Sequence, residues 1–323
     1  MSISLSARGE SFPIRGAFTI SRGSKTQSDV VLVEARENGA LGRGECVPYP
    51  RYDETVAGAL AAIAALPAGI DRARLQTAMK PGAARNAVDC ALWDLEAKRS
   101  GVPAWKLAGL PEPRPVVTAY TLSLGEPDTM GRAAAENAHR PLLKLKLGGK
   151  GDIARVEAVR RNAPKARLIV DANEGWTPDL LSDHLPAMAR LGVELIEQPL
   201  PAGRDGALRG MPRAVPVCAD ESCHGIDTLH ELVGMYDAVN VKLDKTGGLT
   251  EALAVARAAR QLGFQIMVGC MLATSLSMAP ALLVAQLARF VDLDGPLLLA
   301  KDRPDGIDYR DGLAHPPKPA LWG

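Results

Sequence analysis

The chain has no apolar run approaching the roughly 18 to 20 residues that a bilayer span requires, and it is read as having no membrane partner. It also lacks a charge bias: 38 Lys and Arg stand against 37 Asp and Glu, a formal +1. The basic residues are scattered, so no bulk field steers the protein to nucleic acid or lipid. The five cysteines, Cys46, Cys90, Cys218, Cys223 and Cys270, include no CxxC pair. His139, His184, His224, His230 and His315 show no ligand spacing. A reduced, cytoplasmic enzyme is therefore expected rather than a disulfide scaffold or a zinc site. The N-terminal MSISLSARGESF has no basic stretch followed by an apolar one, which reads against a signal peptide. Neither G-x-G-x-x-G nor G-x-x-x-x-G-K-[ST] occurs, so no phosphate-cradling loop is signalled. What remains is ordinary globular material, 323 residues with 47% hydrophobic and 23% charged. That length suits two domains, or one barrel with additions.

Two patterns divide the chain. In the first, Val30 to Ala35 is β-rich, and Glu37, Asn38 and Gly39 signal a tight turn before GALGRGEC. The preceding FTISRGSKTQSD is polar and turn-rich, the composition of a mobile loop. Helical stretches follow, the best marked being AARNAVDCALWDLEAKRSG. There Ala87, Cys90, Ala91 and Leu95 share a face and Gly101 supplies the stop. Residues 1–112 are thus expected to form an α+β unit. The second pattern, 113–296, alternates strand and helix. VVTAYTL, LLKLKL, ARLIVDA, VELIEQ, VPVCAD, AVNVKL, FQIMVG and RFVDLD read as eight strands, with helical periodicity between them. Eight such strands fit a (β/α)8-type barrel better than an open doubly wound sheet. The Pro-rich tail, 297–323, is too short for its own core and is expected to pack back on the N-terminal unit.

The barrel strands end on charges. Lys144 and Lys146 lie in PLLKLKLGG, Asp171 in LIVDANEGW, Glu197 in LIEQPLP, Asp220 in VCADES and Lys242 in VNVKLDKTGG. From Lys146 onward the intervals are 25, 26, 23 and 22 residues. Strand ends on one side of such a barrel build its active site. A single strand-end acid is usually a helix cap or a salt-bridge partner. Three acids on consecutive strands would repel and raise one another's pKa unless a cation neutralised them. Oxygen donors without His or Cys favour Mg²⁺ or Mn²⁺ over Zn²⁺. Lys144 and Lys146, two apart, face the same way on a strand, and lysine is rarely buried without a purpose. A lysine on each side of the acids is an arrangement for removing a proton from carbon and returning it to the opposite face. An unperturbed lysine, with a pKa of about 10.4, is a poor base at neutral pH. Burial and a nearby cation are both expected to lower that value.

These segments together resemble the enolase superfamily, in its muconate-lactonizing subgroup, over nearly the whole chain. The resemblance implies a (β/α)7β-type TIM barrel with an N-terminal α+β capping domain closing over its mouth. It implies Asp171, Glu197 and Asp220 as Mg²⁺ ligands, and Lys146 and Lys242 as the acid/base pair. Lys144 is implied to help hold the substrate carboxylate. Asp292 and Asp294 in FVDLDGP resemble the Asp-x-Asp pair with which dipeptide epimerases grip the ammonium of an N-terminal amino acid. GECVPYPRYDET, PGAARNAVDCALWDLEAK, GCMLATS and DLDGP are similar to the branch acting on alanyl-glutamate dipeptides. In that branch Arg22, in TISRGSK, falls where a loop arginine meets the glutamyl side chain, and Thr121, Cys270 and Leu272 match substrate-contacting positions. The activity so implied is interconversion of L-Ala-D-Glu and L-Ala-L-Glu through an enediolate steadied by Mg²⁺, within murein-peptide recycling. Expected partners are a dipeptide substrate, with no nucleic acid and no membrane, and a homo-oligomer is open. Two other chemistries fit part of the pattern. A cycloisomerase or o-succinylbenzoate synthase would share the metal and lysines without needing Asp292 and Asp294. A Schiff-base aldolase would use one lysine covalently and no metal.

Overall fold

The computed structural model describes residues 2–323. Three antiparallel strands, β1 (Ser4–Ile20), β2 (Gly23–Glu37) and β3 (Ala40–Cys46), form a sheet in that order. Asn38 and Gly39 both take positive φ between β2 and β3, as a tight hairpin turn requires. The polar segment read as a mobile loop is instead strand on both sides of a turn. After an irregularity between Pro13 and Phe18, β1 and β2 pair again as Phe18 with Lys25 and Ile20 with Gly23. Polar composition misled because a hairpin tip exposed on one face needs few apolar residues.

Helices α1 (Val56–Ala64), α2 (Arg72–Ala78), α3 (Ala83–Ser100) and α4 (Ala104–Leu107) follow. Thr55 and Asp71 cap the first two by accepting the amides of Gly58 and Arg74. α3 buries Ala87, Ala91 and Leu95 against Val31, Val33 and Ala35 of β2. It also approaches β3 at backbone distance. A Cβ on Gly42 would come within 2.2 Å of the Ala91 carbonyl, and one on Gly44 within 2.1 Å of that of Ala87. Only glycine permits this packing.

The barrel alternates β5 (Tyr120–Leu122), α5 (Pro127–Glu136), β6 (Leu142–Lys146), α6 (Asp152–Asn162), β7 (Arg167–Asp171), α7 (Pro178–Arg190) and β8 (Val193–Glu197), preceded by the short β4 (Val116–Val117). It continues with β9 (Val217–Ala219), α8 (Ile226–Leu232), β10 (Ala238–Val241), α9 (Leu243–Thr246), α10 (Leu249–Gln261), β11 (Gln265–Gly269), α11 (Ser275–Ala285), β12 (Phe290–Asp292) and α12 (Gly295–Leu298). Strands β5 to β12 are parallel neighbours in sequence order. The ring closes where the Ala119 amide donates to the Val291 carbonyl at 2.8 Å and the Leu293 amide to Thr118 Oγ1 at 2.9 Å. The barrel with an antiparallel cap is the architecture expected. It departs after β8, where a single 3₁₀ turn at Gly206–Leu208 stands in for a helix. Pro199, Pro201, Pro212 and Pro216, with Gly203, Gly206 and Gly210, break any helical run there.

The tail contacts both the cap and the barrel. Leu299 bridges Ile14, Arg303 pairs with Glu10 and Glu45 at 2.6 Å, and Trp322 Nε1 donates to the Cys90 carbonyl. Its β13 (Tyr309–Arg310) and β14 (Leu313–Ala314) form a small sheet with β4. Among the described residues no helix is long and apolar enough to cross a membrane, and all five cysteines are free.

Candidate functional site

β6 to β10 are consecutive neighbours, so Lys146 at the end of β6 and Lys242 just after β10 flank the strand ends that carry Asp171, Glu197 and Asp220. All five side chains are buried. They are also interlocked. Lys146 Nζ donates to Asp171 Oδ2 at 2.6 Å, and Lys242 Nζ to Asp220 Oδ2 at 2.7 Å. Lys144 Nζ sits between three acids: Asp292 Oδ2 at 2.6 Å, Glu197 Oε2 at 2.7 Å and Asp171 Oδ2 at 3.2 Å. Lys245, one turn beyond Lys242, donates to the second oxygen of Asp220 at 2.6 Å and to the Asn240 carbonyl at 3.0 Å.

These pairings set the electrostatics. Burial opposes ionisation of Asp171, but Lys146 and Lys144 outweigh it and hold that carboxyl at about 2. Burial likewise opposes ionisation of Asp220, and Lys242 with Lys245 drives it well below the usual carboxylate range. Glu197 goes the other way. Burial and the neighbouring Asp171 charge lift it to about 7 despite Lys144. Among the protein's own charges, Lys144 and Lys242 are not lowered as expected from burial. Burial does act downward on Lys144 and Lys242. Asp292 and Glu197 around the first, and Asp220 and Glu197 around the second, raise both well above the usual range.

The donor set fits a hard divalent cation in its chemistry. Three buried carboxylates on adjacent strand ends repel one another enough to unsettle Glu197, and Glu197 Oε2 accepts no hydrogen bond, meeting Lys144 only as an ion pair. The acids do not form a ready cage, however. Among the described residues no three acid, His or Cys side chains converge as a chelate. The reason lies in the pairings above: ammonium groups and a cation would draw on the same oxygens. Asn240 Nδ2 fixes the other Glu197 oxygen at 2.7 Å. A Cβ on Gly269, in the next strand, would come within 2.7 Å of the Asn240 amide.

Two hollows border this cluster, their linings sharing Phe18, Lys146, Lys242, Cys270 and Leu272. An inner cleft of about 30 Å³ is lined by Thr121, Lys144, Asp292 and Asp294. Asp292 and Asp294 are both buried there. Burial and Asp292 raise Asp294 to about 7, while the Thr121 amide, donating to its Oδ2 at 2.6 Å, works against that shift. Thr121 thus orients the acids of the cleft. Cys270 and Leu272 border the cleft and also an outer chamber of about 210 Å³. That chamber is roofed by the β1–β2 hairpin through Phe18, Ile20, Arg22 and Lys25. Arg22 lies in it, with its guanidinium already bonded to Glu221 at 2.8 Å, Glu174 at 3.1 Å and the Asn173 carbonyl at 2.9 Å. Burial acts against the Arg22 charge, and Glu221 with Tyr49 more than restores it. Sequence reasoning missed Lys245, Asn240, Glu221 and Lys25. Only Lys245 carried a signal, a second lysine three residues past Lys242 at helical spacing.

With this geometry in place, comparison with known proteins identifies the family. Residues 2–109 match the mandelate racemase / muconate lactonizing enzyme N-terminal domain, and 129–320 the enolase C-terminal domain-like family. The chain is 46% identical to L-Ala-D/L-Glu epimerase of Escherichia coli, over 95% of this chain and 97% of that one. An enolase family member of Agrobacterium tumefaciens, with homology to dipeptide epimerases and solved with bound sodium and L-Ala-L-Glu, superposes with a TM-score of 0.97 at 56% identity, covering 99% and 100% of the two chains. A dipeptide epimerase of Enterococcus faecalis, solved with Mg and L-Leu-L-Tyr, superposes at 0.91 and 29% identity over 98% of each chain. The chain belongs to the enolase superfamily.

Proposed function

We propose that this chain is a Mg²⁺-dependent dipeptide epimerase that interconverts L-Ala-D-Glu and L-Ala-L-Glu by moving one proton at the glutamyl α-carbon. The observation that carries the reading is the pair of lysines. Lys146 and Lys242 border one chamber from opposite flanks of three buried acids, with two further buried acids in the adjoining cleft. Asp171, Glu197 and Asp220 would hold the cation. When bound, it would draw electron density from the substrate carboxylate and so make the neighbouring C–H more acidic.

One lysine takes the α-proton and the other supplies a proton to the opposite face. Lys242, held protonated by Asp220, is poised to donate. The cation would draw on the same Asp220 carboxylate that Lys242 pairs with, so the basicity of Lys242 would depend on how that carboxylate is shared. Lys144 is the fixed positive charge beside the substrate carboxylate, and Asp292 and Asp294, oriented by Thr121, receive the N-terminal ammonium. Cys270 and Leu272 form the wall between cleft and chamber. The cap, residues 1–112 with 297–323 packed on it, closes the mouth of the barrel, residues 113–296.

The test is incubation of L-Ala-D-Glu with the enzyme and Mg²⁺ in D₂O, followed by proton NMR. Deuterium at the glutamyl α-carbon, stopped by EDTA, is expected. No incorporation would sink the proposal, and trapping by borohydride would point to the aldolase chemistry instead. Exchange of N-acetylglutamate in preference to the dipeptide would remove the role given to Asp292 and Asp294.

A further inference from the structure

The segment joining β11 to α11, residues 270–274, walls both hollows. Cys270 and Leu272 border the inner cleft and the outer chamber, and Met271 borders the chamber. The segment is neither strand nor helix, so its shape depends on what its backbone groups meet. They meet the cap. Ser28 Oγ, on β2, donates to the Leu272 carbonyl. The Thr274 amide and hydroxyl donate to the two oxygens of Glu45, on β3, at 2.9 and 2.6 Å. Ala273 between them is buried, and a Cβ on Gly295 would come within 2.8 Å of its carbonyl. The segment is thus pinned on either side of Ala273 and backed by main chain.

Glu45 is buried, and burial pushes its carboxyl up by more than Arg303 and Thr274 pull it down. Arg303, from the tail, supplies the countercharge. Its Nε lies 2.7 Å from Glu45 Oε2 and 2.9 Å from Thr274 Oγ1, and its guanidinium pairs with Glu10 of β1 at 2.6 Å. Beside it, Asp302 accepts the Ser275 amide at 2.9 Å where α11 begins. All three cap strands and the tail therefore converge on one short connection of the barrel. Glu45, Thr274 and Arg303 themselves line neither hollow. A buried ion pair gains little over apolar packing of the same volume. What a directional network does is hold one arrangement of the chain against its alternatives.

We infer that Glu45 and Arg303 are positioning residues that, through Thr274, hold the Leu272 wall in place and so confine the substrate's N-terminal residue to a small side chain. This rests on the dipeptide-epimerase reading, in which the inner cleft receives the N-terminal ammonium. That cleft measures about 30 Å³, which leaves little room beside the ammonium. A small displacement of Leu272 then decides whether a branched side chain can enter.

The test measures kcat and KM for L-Ala-L-Glu and L-Leu-L-Glu, by deuterium exchange, in wild type and variants. Arg303→Met is expected to cut the preference for the alanyl dipeptide on the order of tenfold. The change should come through a lower KM for the leucyl substrate, and Arg303→Lys, which keeps the countercharge, should reverse most of it. Leu272→Ala should relax the preference by itself. Adding Arg303→Met to it should then change the ratio no further, because both act on one wall. Thr274→Val, a milder cut in the same network, should shift the ratio in the same direction by less, and it decides the matter if Arg303→Met does not fold. A loss of folded protein lowers both substrates alike and leaves their ratio unmoved. An unchanged ratio in the folded variants, additive effects in the double variant, or a wild type indifferent to the first residue overturns the inference. Failure of the parent reading looks different: wild type then exchanges neither dipeptide.

Discussion

Two rings of side chains line the barrel one above the other, carried by the same eight strands. The lower ring is Ala119, Leu142, Ile169, Leu195, Cys218, Ala238, Met267 and Phe290, a buried apolar cluster. Two residues further along each strand stand Thr121, Lys144, Asp171, Glu197, Asp220, Asn240, Gly269 and Asp292. A step of two keeps a side chain on the same face of a strand, so both rings point inward and both are buried. One is held by apolar contact, the other by ion pairs and hydrogen bonds among Lys144, Asp171, Glu197, Asn240 and Asp292. Burial alone therefore does not distinguish a core from a site. Charge becomes tolerable in the interior where a partner of opposite sign is built in, and that same charge is then available for chemistry.

The comparison breaks first at the upper ring. Lys242→Met, just above it, should lower α-proton exchange by roughly 10³-fold while the protein still melts cooperatively, as exchange NMR and thermal unfolding would report. In the lower ring the balance reverses. Phe290→Ala should cost about 3 to 5 kcal/mol in urea unfolding, with exchange per folded molecule persisting. A variant that lost exchange and kept its stability would mean that the lower ring is part of the site.

Asp244 sharpens the contrast, because it is as buried as Asp171 and has no ammonium beside it. Asp171 sits at about 2 and Asp244 at about 7, the latter raised by burial against hydrogen bonds from Asn86 and the Val47 amide. A carboxyl whose folded pKa lies above its unfolded value near 3.9 favours the folded state most below that value. Its stabilisation falls as pH rises from about 4 to about 7 and is flat above. Asp244→Asn keeps an acceptor for Asn86 and removes that penalty. It should therefore gain stability at pH 8, by about 2 to 4 kcal/mol at most, and little at pH 4. Equal gains at both pH values would contradict the assignment. The smallest effect is expected at the one glycine of the upper ring. Gly269→Ala would crowd Asn240, the residue that fixes Glu197, at about 1 to 3 kcal/mol, and calorimetry would read it.

Much of the fold was legible because each barrel strand is a short apolar run ending on a charge, from LLKLKL to RFVDLD. The missing helix after β8 was written in its prolines and glycines, yet strand counting passes over an absent helix. FTISRGSKTQSD read as loop because hairpin and loop share a polar composition; only the pairing of Phe18 with Lys25 separates them. Within the site, Asp171, Glu197, Asp220, Lys146 and Lys242 stood out as charges inside apolar runs. Asn240 did not, since an amide in a strand carries no such contrast. Lys25 did not, since an exposed lysine in a polar stretch resembles any surface lysine.

By itself the sequence determined which residue types stand at the strand ends and on which face, because the period of two and the apolar runs leave little choice. That was enough to name the acids, the lysines and the family they resemble. Tertiary structure alone decided who pairs with whom. Partners such as Lys144 and Asp292, or Arg22 and Glu221, lie 148 and 199 residues apart, and their meeting depends on closing the ring and folding the cap over it. Distances of a few ångströms then set whether a buried acid rests at about 2 or about 7, and no spacing along the chain encodes that.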